Sequence, residues 1–365
     1  LAEDGDHDAI GGFDFCGDWL YLAGARTDAF SVRLSRPLEP ARPAAGRFGK
    51  IDGPWALDVS TVYGARVPWR RALAGRHVRS VADAGDQLFA ACSEDGVLLL
   101  DKKDFSEVGR VPARGSANTV IWRPPYLYVA EGFGGLAVYE RNDAGFTCVS
   151  RFSPHGRAVN DLQFSGDGRL LLLQCASLGV VAMSAEDPAR PVFLDEYLDF
   201  IGLFYGRHFP SAGYRNACYF GCNRDGLFGM KLEDGRPVLT QLPTPVDRFG
   251  IGPDSGMDVF GDTLLVNYQG GYFLLPLPGP EEKPAQRTVD FPLPYRGKPR
   301  VDGKLLVMVE RAEGVITFCD FSNPLRVRVI SQAKTTASPD LPAFDGERIY
   351  MPGGRQGLLI FDRPL

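Results

Sequence analysis

The amino-acid sequence predicts an all-β fold: a β-propeller of eight blades with about 43 residues in each, and seven blades as the alternative. Two observations support this prediction. A hairpin of two strands with alternating apolar residues recurs along the 365 residues. Its copies follow one another at nearly constant intervals, and the sequence between them shows none of the 3.6-residue periodicity that a helical repeat requires.

The clearest copy of the hairpin lies in the second quarter of the chain. Its two alternating runs, Tyr126–Ala130 and Leu136–Glu140, flank the turn Gly132-Phe133-Gly134-Gly135. Alternation places one face of each run inward, and the glycines permit a tight reversal. Similar hairpins begin at Trp19, Gln87, Arg169, Asn216, Thr263, Lys304 and Arg348.

A glycine before the second strand of the hairpin marks the repeat. It recurs as Gly96, Gly135, Gly179, Gly226, Gly271, Gly314 and Gly357. Successive intervals are 39, 44, 47, 45, 43 and 43 residues. A further step of 43 back from Gly96 reaches Gly53, just before an alternating run at Trp55–Val59. The first copy is therefore predicted to be split by an inserted hairpin at residues 29–52.

Each copy is interpreted as four strands, and the whole chain, 1–365, as one propeller domain. The first copy would comprise Ile10–Cys16, Trp19–Ala23, Trp55–Val59 and Val67–Ala72. Copies two to four would run from Val78 to Val111, from Asn118 to Phe152 and from Val159 to Glu196. Copies five to seven would close on Val238–Leu242, Thr288–Leu293 and Arg326–Ser331. The eighth copy ends at Leu365 after three strands, and the polar segment Leu1–Asp8 is a poor candidate for its missing strand.

Bulk composition excludes several classes of protein. A hydrophobic fraction of 44% suffices for a large core, and the net charge of −5 argues against binding nucleic acid or acidic membranes. No run of about 18 apolar residues is present, so we expect no membrane insertion. Seven cysteines scattered among strands predict small buried side chains rather than a disulfide framework or a metal site.

Localisation stays open between two compartments. The cysteine usage fits a cytoplasmic protein with free thiols. The chain starts at Leu1 without a charged and then apolar leader, so an exported protein from which the leader has been removed fits as well.

The second half of the hairpin resembles a known repeat. The runs that begin at Gly135, Gly179, Gly314 and Gly357, the last reading GLLIFD, are similar to the LVIVD-repeat β-propeller family. The resemblance extends over nearly the whole chain and is weakest in copies five and six. It implies a propeller, and it implies no particular chemistry, because a fold does not supply a function.

The connections between successive copies are rich in basic residues. In a propeller these connections lie closest to the central channel, so their side chains are predicted to meet at one mouth. They contain Arg76, His77, Arg79, Arg114, His155, Arg157, Arg207, His208, Arg248, Arg296, Lys298, Arg300 and Lys334. A cleft that gathers cations concentrates positive potential. We therefore predict a basic pocket for an anionic small molecule or an acidic glycan.

Two of these connections are long and aromatic. Residues 199–214 place Tyr205 beside Arg207 and His208, and residues 247–258 contain Arg248. Loops longer than a turn requires are often functional, and aromatic rings beside guanidinium groups suit an acidic sugar.

Three functions follow as hypotheses. The leading one is ligand or partner binding without catalysis, with no cofactor and no metal. The second is a polysaccharide lyase or glycoside hydrolase in which His208, Tyr205, His155 or His77 is the base. The third is a protein-interaction scaffold. Substituting Arg207 and His208 would weaken an anionic ligand in the first two cases only.

Overall fold

The computed structural model describes strands within residues 10–16, 19–24 and 30–33, and residues 69–364 apart from a few short stretches. Those stretches are 156, 176–178, 198–210, 223–225, 243–255, 269–270, 278–286 and 290–296. The chain divides into two compact units, Leu1–Thr61 and Val62–Leu365.

The larger unit is a ring of seven four-stranded antiparallel sheets, so the β-propeller prediction is confirmed. We number the blades in chain order. Blade 1 is β5 (Ser80–Ala84), β6 (Gln87–Ala91), β7 (Val97–Asp101) and β8 (Glu107–Val111). Blade 2 is β9 (Thr119–Arg123), β10 (Tyr126–Ala130), β11 (Leu136–Asn142) and β12 (Gly145–Phe152). Blade 3 is β13 (Asp161–Phe164), β14 (Leu170–Gln174), β15 (Val180–Ser184) and β16 (Val192–Tyr197).

The remaining blades follow the same order from the innermost strand outward. Blade 4 is β17 (Ser211–Tyr214), β18 (Ala217–Cys222), β19 (Gly226–Glu233) and β20 (Arg236–Leu242). Blade 5 is β21 (Met257–Phe260), β22 (Thr263–Tyr268), β23 (Gly271–Pro276) and β24 (Arg287–Val289). Blade 6 is β25 (Lys298–Asp302), β26 (Leu305–Glu310), β27 (Val315–Asp320) and β28 (Arg328–Lys334). Blade 7 is β29 (Ala343–Phe344), β30 (Arg348–Pro352), β31 (Leu358–Asp362) and, from the start of the unit, β4 (Trp69–Ala72).

The prediction of eight blades is wrong, and β4 is the reason. The predicted strand Val67–Ala72 was assigned to the first copy, but its observed part, Trp69–Ala72, pairs antiparallel with β31 and forms the outer strand of blade 7. The outer strand that the last copy lacks is therefore supplied by the segment just before blade 1. This exchange closes a ring of seven, the stated alternative.

The smaller unit contains the three-stranded sheet β1 (Ile10–Cys16), β2 (Trp19–Gly24) and β3 (Phe30–Arg33). The first two strands lie where the sequence predicts them. Phe30–Arg33 falls at the start of the predicted insertion, 29–52, and pairs with β2. The rest of that insertion, and the predicted strand Trp55–Val59, lie outside the described residues.

The marker glycine of the repeat has a physical cause. Gly96, Gly135 and Gly357 all have positive φ, between 78° and 86°. A Cβ on Gly135 would lie 2.1 Å from the Phe152 carbonyl oxygen at the end of its outer strand. On Gly357 it would lie 2.5 Å from the Ala72 carbonyl oxygen. In blades 2 and 7 the backbone of the outer strand therefore lies against this glycine, and no larger residue fits there.

Two faces of the ring follow from the strand order. The upper face holds the loops between the second and third strands of a blade and the connections between blades. The lower face holds the other turns. On the upper face, backbone bridges join Ser93 to Ala117, Gly132 to Val159 and Gly354 to Val78. The last of these bridges ties blade 7 to blade 1.

Apolar side chains fill the spaces between neighbouring blades. One cluster joins Phe89 and Leu99 of blade 1 to Leu127 and Val129 of blade 2. Cys92, Cys175, Cys218 and Cys319 are buried as predicted, whereas Cys148 is exposed. Burial raises the pKa of the Cys92, Cys175 and Cys319 thiols to about 12, which removes them as nucleophiles at neutral pH. Among the described residues, no helix is long and apolar enough to cross a membrane.

Candidate functional site on the upper face

The central channel is lined mainly by the innermost strands and encloses about 750 Å³. The charged residues among its described lining are Arg79, Arg123, Arg300, Asp83, Asp161, Asp302 and Asp340. Three arginines therefore face four aspartates. The described part of the channel is mixed in charge, which differs from the predicted basic pocket.

Two of the predicted basic residues on the connections are bound to carboxylates nearby. Arg76, before blade 1, pairs with Asp95 on the loop between the second and third strands of that blade. Arg157, before blade 3, donates to Glu196 of β16 at 2.8 Å. Their positive charge is largely offset within the protein.

The basic residues of blade 6 show the same pattern. Lys298 is only 3% exposed and forms a 2.9 Å bond to Asp340. Arg300 lies 3.8 Å from Asp258. Lys334 lies 3.4 Å from Glu313.

Most of the neutralising carboxylates lie outside the connections; Asp340, between blades 6 and 7, is on one. Asp95 and Glu313 are on within-blade loops, and Glu196 and Asp258 are on strands. Counting charges along the connections alone therefore overstates the positive potential of the mouth. A basic residue contributes a field at the mouth only where the fold leaves it without a carboxylate partner.

A polar network at the upper end of the channel joins the predicted basic residue Arg79 to two asparagines that the sequence pattern did not indicate. Arg79 donates to the side-chain oxygen Oδ1 of Asn118, and Nδ2 of Asn118 donates to Oδ1 of Asn160 at 3.2 Å. These side chains stand just before the innermost strands of blades 1, 2 and 3. The equivalent positions of Asn118 and Asn160 in the repeat are the signal that could have identified them.

Five predicted ligand contacts lie outside the described residues: Tyr205, Arg207, His208, Arg248 and Arg296. Of the two described histidines, His77 is half-buried before blade 1 and His155 is exposed before blade 3. Neither is among the described residues that line the channel.

A buried ion pair holds the upper-face loop of blade 2 in place. Glu131 has no exposed surface and pairs with Arg151. Its carboxylate also accepts from the Tyr139 hydroxyl at 2.8 Å and from the Arg114 amide at 3.2 Å. Burial, followed by the hydrogen bond to Glu131, raises the pKa of Tyr139, so the phenol remains a donor. A buried charge with this many partners fixes the local backbone.

The loop that Glu131 holds presents an exposed aromatic ring. The Gly134 amide donates to the Glu131 carbonyl at 3.0 Å, and Gly135 donates to Gly132 at the same distance. Between them Phe133 is 78% exposed, the highest value among the exposed large apolar side chains of the described residues.

Phe133 stands between two connections that contain predicted site residues. On one side, the position of a Cβ on Gly115 is 3.1 Å from the Gly134 amide nitrogen, so Arg114 is adjacent. On the other, the position of a Cβ on Gly135 is 2.9 Å from Ser153, two residues before His155. Arg114 and His155 are both exposed, and no carboxylate partner for either is found among the described residues. The connections that contain Arg114 and His155 thus pass next to the loop of Phe133, and we call these three residues the blade 2 patch.

Comparison with known proteins gives the fold. No protein-family model matches the sequence, and no curated protein matches it. The WD40 repeats of RRP9 match at 9% identity over 81% of this chain and 99% of that one, with a TM-score of 0.60. Virginiamycin B lyase from Staphylococcus aureus matches at 10% identity over 81% and 98%, with a TM-score of 0.60. Kuenenia stuttgartiensis hydrazine synthase matches at 12% identity over 81% and 97%, with a TM-score of 0.56.

The resemblance to LVIVD repeats stays a prediction. At identities of 9 to 12%, the structural likenesses show the fold alone. The unit Val62–Leu365 is a seven-bladed β-propeller, similar in fold both to WD40 repeats and to a lyase.

Proposed function

We propose that this chain is a binding propeller that docks a protein partner on its upper face, through the blade 2 patch. The single observation behind the proposal is Phe133, a large apolar side chain that is 78% exposed on a loop held in one conformation. The WD40 likeness is consistent with a protein partner, although it shows only the fold.

Rigidity favours Phe133 as an anchor. Buried aromatic anchors dominate the binding energy of many protein interfaces. A loop that is already ordered loses little entropy on binding. The hydrogen bonds inside the turn and the buried Glu131 supply that order before any partner arrives.

The charge beside Phe133 defines the chemistry of the partner. The exposed Arg114 guanidinium has no carboxylate partner among the described residues, unlike Arg76 and Arg157. A partner that places an Asp or Glu against Arg114 and an apolar pocket around Phe133 would satisfy both groups. We therefore propose a partner whose contact surface is acidic around an apolar centre.

Affinity capture with quantitative mass spectrometry tests the proposal. The variants are Phe133→Ser, Arg114→Glu and, as a matched control, Leu325→Ser, which removes a 44% exposed apolar side chain from a lower-face turn. All three change exposed positions, so stability should stay within about 0.5 kcal/mol. We expect one protein to be captured by the wild type and by L325S, and to be lost with F133S and R114E. Retention of the same proteins by F133S would contradict the proposal.

An anionic small molecule or acidic glycan at the upper mouth of the channel is our second candidate. The channel volume of about 750 Å³ would admit such a ligand, and Arg79 and Arg300 are part of the lining. The paired states of Arg76, Arg157 and Lys298 weaken this candidate relative to the first.

A lyase or hydrolase is the least supported hypothesis. A general base must come within about 3 Å of the proton that it removes. His77 and His155 belong to connections two blades apart, and neither is among the described channel lining. The other proposed bases, Tyr205 and His208, lie outside the described residues.

A further inference from the structure

A second charged feature lies on the lower face, below the end of the channel. Arg123 ends β9 at the turn between the first two strands of blade 2. It lines the central channel, and it also lines a separate pocket of about 500 Å³ between blades 2 and 3. The guanidinium therefore stands at the border of two cavities.

The Arg123 guanidinium is held flat between two groups. Its carbon lies 4.6 Å from the centre of the Phe164 ring, a cation–π contact. On another side it packs so closely on Gly168 that a Cβ there would lie 2.0 Å from both terminal nitrogens. The orientation of the planar fork is thus set by packing rather than by an ion pair.

No hydrogen-bond acceptor or carboxylate partner for this guanidinium is found among the residues that the structure describes. The nearby acids are engaged elsewhere. Asp167 accepts from the Ser165 hydroxyl at 2.6 Å and from the Arg169 amide at 3.0 Å. Glu186 pairs with the Arg169 side chain.

The other acids at the lower end of the channel are engaged too. Asp302 pairs with Arg363, and Asp83 pairs with Lys102. The other two described arginines of the channel lining contact polar partners, Asn118 for Arg79 and Asp258 for Arg300. Arg123 therefore presents N–H donors, in a fork that matches a carboxylate, to an open pocket.

The rest of the lower pocket combines charged side chains with rings, and the charged residues are Asp167, Arg169 and Glu186. Pro124, Pro125 and Pro188 are exposed in it, and the half-buried Tyr126 adds an aromatic face. Flat rings stack on proline and tyrosine surfaces, so the pocket suits a flat apolar body attached to an anionic head.

We propose that this lower pocket binds a small aromatic carboxylate, with the carboxylate on Arg123 and the ring against Tyr126 and the prolines. The site is separate from the blade 2 patch, which lies on the opposite face. Binding here would give the propeller a small-molecule ligand besides its proposed protein partner.

Titration of the wild-type chain with benzoate and with benzamide tests the charge requirement, because the two probes have the same ring and differ in charge. Binding is followed by ligand-observed NMR and by the melting temperature. We expect benzoate to bind at least about tenfold more tightly than benzamide, since a charge-assisted bidentate pair is lost in the amide. Equal affinity for the two probes, or no binding of either, would overturn the proposal.

Variants locate the site. Arg123→Gln should weaken benzoate at least about tenfold, and Arg123→Lys, which keeps the charge and loses the fork, should fall between R123Q and the wild type. Arg169→Gln, in the same pocket but paired with Glu186, and Arg300→Gln, at the middle of β25 and close to Asp258, should stay within about twofold of the wild type.

The binding measurements on these variants show whether the ligand binds at Arg123. Undiminished benzoate binding in R123Q would overturn the proposal. If R300Q loses binding while R123Q keeps it, the ligand binds in the central channel instead. If R123Q fails to fold, R123K and the two probes on the wild type still test the charge and the fork independently.

Discussion

Glu131 shows how a single buried charge organises the proposed docking loop. Its side chain has no exposed surface, and Arg151, Tyr139 and the Arg114 amide surround it. Its partner Arg151 lies on the outer strand of the same blade, so only the folded register brings the two together.

Removal of the Glu131 carboxylate should destabilise the protein strongly. Glu131→Ala leaves Arg151 with an uncompensated charge, which costs about 3 kcal/mol of unfolding free energy or more. The matched control is Glu107→Ala, because Glu107 pairs with Arg110 at 2.8 Å on the surface. Exposed pairs contribute less than about 1 kcal/mol. Urea denaturation of both variants provides the comparison. If the free energy of unfolding falls equally in both, the buried ion pair of Glu131 and Arg151 does not support the loop.

At the scale of the blade, strands were predicted better than their assignment to blades. The hairpins from Gln87 to Asp101 and from Arg348 to Asp362 have the expected strands, because alternation and a positive-φ glycine are local signals. A strand was predicted at Val67–Ala72 and is observed at Trp69–Ala72, but its partner is not local. It pairs with residues almost 300 positions later, and nothing within four residues of alternating sequence specifies that choice.

The seam between blades 7 and 1 also contains an ionic contact on the lower face. Lys102 of blade 1 donates to Asp345 of blade 7 at 3.1 Å. Burial is the largest influence on the Asp345 carboxyl and would raise its pKa. The hydrogen bonds from the Tyr350 hydroxyl, the Arg348 amide and Lys102 together outweigh burial and lower the pKa to about 2.

This contact predicts a pH dependence of stability at the seam. The pKa of Asp345 in the folded chain is about 2, below the ordinary 3.8, so its carboxylate stabilises the fold above about pH 4. That contribution is lost as the pH falls from about 4 towards 2. Asp345→Asn should therefore lower the melting temperature at pH 7 and by much less at pH 2.5.

Melting temperatures of the wild type and D345N between pH 2 and 7 provide the measurement. Asp362→Asn is the control, since Asp362 is an exposed carboxylate 3.9 Å from Arg70 and should change the melting temperature little at either pH. A difference between wild type and D345N that does not change with pH would contradict the role of the carboxylate.

At the scale of the whole molecule, the sequence predicts the class of fold and leaves the site incomplete. The repeat of about 43 residues arises because the strands of every blade pack in the same way, so the repeat can be recognised from the sequence alone. The charge of the channel mouth is different, because it depends on which carboxylates the fold places beside each basic residue. Arg157 and Glu196 lie 39 positions apart and meet only across blade 3.

The proposed sites both depend on a closed ring of seven blades. In that ring, β4 is an integral strand: Trp69 packs on Phe361 with ring centroids 6.4 Å apart. Loss of β4 would expose the edge of β31 and open the contact between blades 7 and 1. An eight-bladed ring would instead need strands from the first 61 residues as well.

Thermal unfolding of two truncated chains tests this closure most directly. One chain starts at Val62 and keeps Trp69–Ala72, and the other starts at Leu73 and lacks that strand. The account predicts that chain 62–365 melts cooperatively near the temperature of the full chain, and that chain 73–365 melts roughly 10 °C lower or aggregates. Equal destabilisation of both truncated chains would contradict the seven-bladed closure.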